Sequence, residues 1–348
     1  KLCKLFCGWI PGSLAQANVL GNMLFGALSG SAVAASSAMG GCIYPIQKEE
    51  GYDPAFATAV NIASAPTGLL IPPTSAFIVY STVAGGVSIS ALFMAGYIPG
   101  ILMGLGTMIV AFIYAKKHKY PTTGFVPMKE ALKVTFEAIP SLLLIVIVIG
   151  GIVGGIFTAT EGAGVCVLYC LILSIIYKSI DMKLFMKILL NSAATSGIIL
   201  FLISASSAMS WVMAYSGIPA AISSGLMSIT DNKYILSSFN EYHFVNCWYV
   251  YGHHTGNPDF YTNLFADCRE SWDVLYPVRR NVDIQHVYGS MTPPVGSVLF
   301  VSCGISKITI EQVTKTLLPY FAVLLGILLA VTYVPALSMG IPTLLGLV

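Results

Sequence analysis

Long uncharged stretches dominate the chain. Ile89 to Ala115, Ala138 to Thr160, Gly162 to Tyr177, Ile188 to Thr230 and Leu317 to Val348 contain no Asp, Glu, Lys or Arg. A helix needs about 20 mostly apolar residues to cross a hydrocarbon core of roughly 30 Å, so these stretches predict membrane-spanning helices. The last two are long enough to turn back once. Two further uncharged windows, Ile10 to Gln47 and Ala55 to Gly86, are richer in Gly, Ser, Thr and Pro. They predict broken or re-entrant helices, and the expected fold class is an all-α polytopic membrane protein.

Charge supplies orientation. Short cytoplasmic loops retain Lys and Arg. Lys116, Lys117, Lys119, Lys129 and Lys133 cluster after the first long span, and Lys178, Lys183 and Lys187 after the third. Both loops are predicted to be cytoplasmic, so the two intervening spans form a hairpin whose tip, Thr158 to Gly162, faces the other side. Glu161 is the only charge there and reads as a favourable charge at a helix N-terminus.

Composition agrees. Of 348 residues 56% are hydrophobic and only 9% charged, where a soluble domain has about 25% charged residues. A net charge of +2 is too small for the basic surface that polyanion binding needs. The eight cysteines are scattered, several within apolar runs, and read as small hydrophobes and not as a disulfide framework. Lys1 is not an initiator methionine and no signal peptide follows it, so the chain reads as a fragment.

A shift of 221 positions aligns Ile71 to Ser90 with Thr292 to Glu311. Pro72 and Pro73 fall on Pro293 and Pro294, Ser81 on Ser302, and Ile89 on Ile310. Each Pro-Pro lacks amide hydrogens and disfavours helix before it, so each interrupts a membrane helix and frees backbone groups. Such groups persist at membrane depth only where they are buried in protein, line a cavity or bind something. Paired breaks in two halves of a membrane protein point to a transporter's substrate and ion site. Taken singly, either is also compatible with a packed proline kink.

Gly26 to Gly41, GALSGSAVAASSAMGG, is almost all small residues and includes Ser29, Ser31, Ser36 and Ser37. Two readings stand side by side: a tight helix interface, or a hairpin tip whose hydroxyls and carbonyls hold a hard cation such as sodium.

Taken in order, GALSGSAVAASSAMG, GYDPAFATAV, IPPTSAFIVY, VSISALFMAGYIPG, FTATEGAGV, LISASSAMSWVMA and SMTPPVGSVLFVSCGI resemble the large membrane subunit, DctM type, of tripartite ATP-independent periplasmic (TRAP) transporters. The resemblance implies an elevator-type secondary transporter with two inverted repeats, each holding a helical hairpin and a broken helix. It implies sodium as coupling ion, no organic cofactor, a small TRAP membrane subunit and a periplasmic substrate-binding protein as partners, and a small organic acid as substrate. The location implied is the bacterial inner membrane. Matching positions for the ion and substrate region are Ser29, Gly30 and Ser31 at the first hairpin, Pro72, Pro73 and Thr74 at the first break, and Thr292, Pro293, Pro294 and Gly296 at the second. Many family members carry an aspartate where this chain has Ala35, and the family has roughly two further helices before the point matching Lys1. On this reading residues 1–115 are the first repeat, 116–137 a cytoplasmic loop, 138–235 central transmembrane helices and 290–348 the end of the second repeat.

Residues 236–289 break the pattern. They hold all three arginines, His243, His253, His254 and His286, and Trp248 and Trp272. The family would have an apolar helix and a second hairpin there, reading like MDITPAILIFTPIFLP. Tyr251 to Ala266, read one base later with synonymous codons chosen to suit, is compatible with that string. The segment therefore reads as a compensated pair of frameshifts, in the gene or in its sequencing, and if real in the cell it would make this a non-transporting, decayed copy. The alternative is an intramembrane hydrolase or metal-binding membrane protein using the cluster at 243–268. Cys247, His253, His254, Asp259 and Cys268 are zinc-ligand types, but their spacing lacks CxxC or HExxH regularity.

Overall fold

The computed structural model describes residues 7–74, 77–78, 81, 88–120, 122, 128–217, 289–292 and 296–347. Among them every regular element is helical. The α-helices are α1 (Ser13–Ser29), α2 (Ala32–Glu49), α3 (Pro54–Ser64), α4 (Ile89–Lys117), α5 (Met128–Val153), α6 (Ala159–Ile176), α7 (Met182–Ser216), α8 (Ser297–Ser306), α9 (Ile310–Tyr333) and α10 (Ala336–Leu344). A 3₁₀ helix, Ala65–Leu69, continues α3. Among the described residues three stretches are long and apolar enough to cross a membrane: α4, Leu132–Val153 of α5, and α9. Thr160–Ile176 of α6 is a shorter apolar helix. The chain is a helical membrane protein.

Two compact units divide at Pro140 and Ser141. In the first, α1 and α2 form an antiparallel pair. Its reversal is built on Gly30, which sits in the left-handed region (φ 61°, ψ 18°) and donates its N–H to the Gly26 carbonyl at 2.7 Å. Only glycine enters that region without strain, so the Ser-Gly-Ser sequence dictates the turn. Ser31 then caps α2, its hydroxyl accepting from the Ala34 amide at 3.3 Å. Helices α3, α4 and α8 pack around this pair, α9 packs on α3 and α4, and α10 packs on α4. The core runs through Leu14, Phe56, Ile62, Met103, Leu299 and Tyr320, each at most 1% exposed.

The start of α3 is fastened to the end of α4 by side chains. Asp53 caps α3 by accepting from the Ala55 amide at 3.2 Å, and Pro54 occupies the first turn, where its missing N–H costs nothing. The Tyr114 hydroxyl donates to Asp53 Oδ2 at 3.3 Å, and the Tyr120 hydroxyl accepts from the Asp53 amide at 3.0 Å. Stacked rings surround these bonds: Tyr52 on Tyr120 at 4.4 Å, Phe56 on Tyr114 at 4.2 Å and Tyr114 on His118 at 4.3 Å.

The long helices of the sequence repeat start in register. Ile89 opens α4 and Ile310 opens α9, the two residues that the 221-position shift superposes, and each helix follows a Ser or Thr cap position, Ser88 and Thr309. The two helices meet at Gly106, where a Cβ would stand 2.7 Å from Ile327 Cδ1 and 2.9 Å from Val323 Cγ1.

In the second unit, α5 turns back into α6 through Gly154 and Gly155. Gly155 has φ 69°, and Phe157 folds over Gly151, where a Cβ would stand 2.0 Å from its ring. Thr158 and Glu161 form a capping box at the start of α6. The Thr158 amide donates to Glu161 Oε2 at 2.7 Å and the Glu161 amide to the Thr158 hydroxyl at 3.3 Å. Glu161 is thus the helix N-terminal charge that its position in the sequence predicts.

Two expectations are corrected. The lysine-bearing loop after α4 does not reach residue 137: α5 starts at Met128, so Lys129, Lys133 and Glu137 lie on its first turns. Likewise Lys183 and Lys187 belong to α7. Basic residues at the end of an apolar helix read like a loop in sequence because their long stems let the charge leave the apolar layer. The uncharged run from Ile188 is helix α7 as far as Ser216, and residues 218–230 of it lie outside the described residues. The run from Leu317 does turn, at Val334 and Pro335 between α9 and α10.

Candidate functional site

Proline chemistry predicts a break after α3, and there the helix gives way. The helix tightens to 3₁₀ at Ala65–Leu69 and stops, leaving Leu70 to Thr74 without regular structure, with a cis bond between Pro72 and Pro73. Ile71 still donates to the Thr67 carbonyl at 3.0 Å. Pro72 and Thr74 are buried and Pro73 is half-buried. The Thr74 hydroxyl accepts from the Phe77 amide at 3.4 Å.

Glycines on two helices clamp this irregular strip. A Cβ on Gly26 of α1 would lie 2.2 Å from Gly68 Cα, so the backbones of hairpin and break touch directly. On α4, a Cβ on Gly96 would lie 2.3 Å from the Leu70 carbonyl oxygen, and one on Gly100 2.6 Å from Ile71 Cγ1. Non-helical backbone at membrane depth requires such protein cover. The first hairpin and the first break, predicted separately, are therefore neighbours.

At the hairpin tip the Ser29 hydroxyl accepts from the Ser31 amide at 3.4 Å, and the Ser31 hydroxyl caps α2. Each oxygen keeps a free lone pair beside its capping bond. The second break is described at its two ends. Gly296 donates its N–H to the Thr292 carbonyl at 2.9 Å and stands at the start of α8, where a Cβ would meet the carbonyls of Ser290 and Thr292 at 2.9 Å. Pro293 and Pro294 lie outside the described residues.

A layer of neutral polar side chains ties these elements together. Ser36 of α2 and Ser302 of α8 have their hydroxyl oxygens 2.6 Å apart. Asn61 of α3 donates to the Ser36 carbonyl at 3.0 Å, to its hydroxyl at 3.2 Å and to the Ser302 hydroxyl at 3.1 Å. Asn22 of α1 reaches Asn61 Oδ1 at 3.0 Å, the Ser64 hydroxyl at 2.7 Å and Asn18 Oδ1 at 3.2 Å. Toward the start of α3, Thr58 meets the Ser306 hydroxyl at 2.8 Å. All of these side chains are buried. Buried amides and hydroxyls are costly unless paired, so the layer holds α1, α2, α3 and α8 in one arrangement.

The tight-interface reading of the small-residue stretch holds for its second half. Ser29 and Ser31 form the tip, whereas Ser36 and Gly40 belong to a tight interface: a Cβ on Gly40 would lie 2.7 Å from Asn61 Nδ2. Sequence reasoning missed Asn18, Asn22, Asn61, Ser64, Ser302 and Ser306. The available signal was polar residues three or four apart inside uncharged windows, which point inward in a membrane helix. Among the described residues no group of three His, Cys, Asp or Glu could hold a metal. The cluster at 243–268, like the rest of 236–288, lies outside them.

The family model for the DctM component of tripartite ATP-independent periplasmic transporters matches residues 1–250 and 282–337. Uncharacterized protein YgiK of Salmonella typhimurium is 41% identical, over 99% of this chain and 79% of its own length. The C4-dicarboxylate TRAP transporter large permease protein DctM of Rhodobacter capsulatus is 31% identical over 97% of this chain and 80% of its own. The sialic acid TRAP transporter large permease protein SiaM of Vibrio cholerae is 30% identical over 99% and 81%.

Proposed function

The chain belongs to the DctM family of TRAP transporter large permeases, a transporter component and not an enzyme, and from that premise we propose that it is built to import a small organic acid together with sodium. The observation that carries the reading is the clamped break: Gly68 to Ile71 held between Gly26 on one side and Gly96 and Gly100 on the other, in a chain of membrane-spanning helices. Main-chain groups released from helix and shielded from lipid are the raw material of an ion and substrate site.

In this proposal the site draws on Ser29, Gly30 and Ser31, on Pro72, Pro73 and Thr74, and on Thr292, Pro293, Pro294 and Gly296. Carbonyls and hydroxyls would hold sodium, an ion satisfied by oxygen ligands. A small membrane subunit and a periplasmic substrate-binding protein complete the transporter in the bacterial inner membrane. The repeat-related α4 and α9 support a two-repeat design of the elevator type. The comparisons give the hydrolase alternative no support.

The proposal extends to 236–289 as a frameshifted segment that disables transport. The gap at 251–281 in the family match supports it. The test is uptake of a radiolabelled organic acid into proteoliposomes holding the chain, the small subunit and the binding protein. The expected result is no uptake by the chain as written and sodium-dependent uptake once 236–289 is restored to the other reading frame. Uptake indifferent to sodium would remove sodium coupling, and no uptake by the restored chain would remove the transport reading.

A further inference from the structure

Gln47, in the last turn of α2, is fully buried, and neither its carboxamide oxygen nor its nitrogen has a hydrogen-bond partner. It lines a cavity of about 10 Å³, measured as the space open to the centre of a water molecule, together with Asn18, Tyr44, Thr58, Ser302 and Ser306. That is close to the roughly 10–15 Å³ that one water molecule needs. The other polar groups on the wall have already spent most of their hydrogens. Tyr44 donates to the Ser306 carbonyl at 3.1 Å, the Ser306 hydroxyl donates to the Ser302 carbonyl at 2.6 Å, and the Thr58 hydroxyl shares its one hydrogen between the Pro54 carbonyl at 2.7 Å and the Ser306 hydroxyl at 2.8 Å. What remains is lone pairs on the hydroxyls, the side-chain amide hydrogens of Asn18, and on Gln47 one acceptor and one donor group.

We propose that this cavity is the binding site of one resident water molecule, which pairs the Gln47 carboxamide with the Thr58 and Ser306 hydroxyls and so joins α2 to α3 and α8. Water has two hydrogens and two lone pairs, and it can serve both kinds of group at once. A cation would satisfy only the oxygens and repel the Gln47 amide hydrogens, and among the described residues the wall has no carboxylate to balance its charge. The water extends the neutral polar layer by one link on the side facing Tyr44, away from the hairpin tip.

The test is a high-resolution density map of the full chain in lipid nanodiscs, recorded once in sodium buffer and once with sodium replaced by choline. A peak in both maps, with at least three neighbours at ordinary hydrogen-bond length and Gln47 among them, is the expected result. A peak that disappears without sodium, or whose neighbours all stand closer than a hydrogen bond allows, would assign the site to a cation and overturn the proposal. No peak in either map would overturn it equally. In Gln47→Met, which keeps the volume, the peak should be lost while Ser36 and Ser302 stay paired; a peak of undiminished height there would show that Gln47 does not hold the water.

Discussion

Ser36 and Ser302 stand 266 positions apart in the chain, and their hydroxyl oxygens meet at 2.6 Å in the buried core of the first unit. One belongs to the first hairpin and the other to the helix after the second Pro-Pro. Asn61 donates to both. The three side chains form a closed contact that no local feature of the sequence announces.

Replacing Ser302 by Ala leaves the Ser36 hydroxyl without that partner and removes one acceptor from Asn61. Leaving buried polar groups unpaired costs about 1–3 kcal/mol. Thermal unfolding in detergent should show a drop of that order for Ser302→Ala and for Ser36→Ala. The double variant should lose less than the sum, because the second change removes a group already stranded. Strict additivity would mean the two hydroxyls do not share a bond.

Glycine substitutions separate close approach from helix propensity. Gly41→Ala meets nothing within 4 Å and should be neutral, or stabilising by about 1 kcal/mol, in α2. Gly26→Ala pushes a methyl into the Gly68 backbone and should separate hairpin from break. We expect Gly26→Ala to lower the midpoint of thermal unfolding and Gly41→Ala to leave it level or raise it. Equal behaviour of the two would argue against the contact.

At the junction of α3 and α4, Asp53 both caps a helix and accepts from Tyr114. Asp53→Asn keeps a good cap, whereas Asp53→Ala loses it and should cost about 1 kcal/mol more than Asn does. Tyr120→Phe removes the acceptor of the Asp53 amide, with an expected loss of the same order. Ranking the three variants by urea-resistant helicity checks the assignment.

Tyr52 gives the chain an alkaline limit. Only 3% exposed, its phenol is pushed by burial from the ordinary value of 10.0 up to about 12. Above pH 10 the unfolded chain releases this proton while the folded chain keeps it, so folding loses stability as pH rises from 10 toward 12. Burial raises Tyr120 in the same direction. Unfolding midpoints followed between pH 9 and about pH 12 should fall less steeply in Tyr52→Phe than in the parent, and an identical slope would count against the buried phenol.

The spans were legible because apolar length is a local property. The uncharged run beginning at Ile89 lies within α4 and the greater part of the one beginning at Ala138 within α5, and the turn at Thr158 could be read from the threonine and glutamate that cap it. The hairpin tip was legible too, since Ser-Gly-Ser between two small-residue stretches leaves the chain few other conformations. What stayed hidden was the polar layer. Asn18, Ser36, Asn61 and Ser302 are single polar residues in separate windows, and only packing assembles them. The same limit applies to the run from Leu317, whose turn at Val334 and Pro335 its composition does not place. A run of uncharged residues fixes how much chain is apolar, but where it bends depends on neighbours that the run does not encode.

Every side chain in the layer from Asn18 to Ser306 is an amide or a hydroxyl. None carries a formal charge at any pH a cell meets, and the membrane potential does work only on charge, roughly 2.3 kcal/mol per elementary charge per 100 mV. This fastening is therefore electrically silent. Whatever displacement the bundle undergoes across the bilayer, these groups add no gating charge to it.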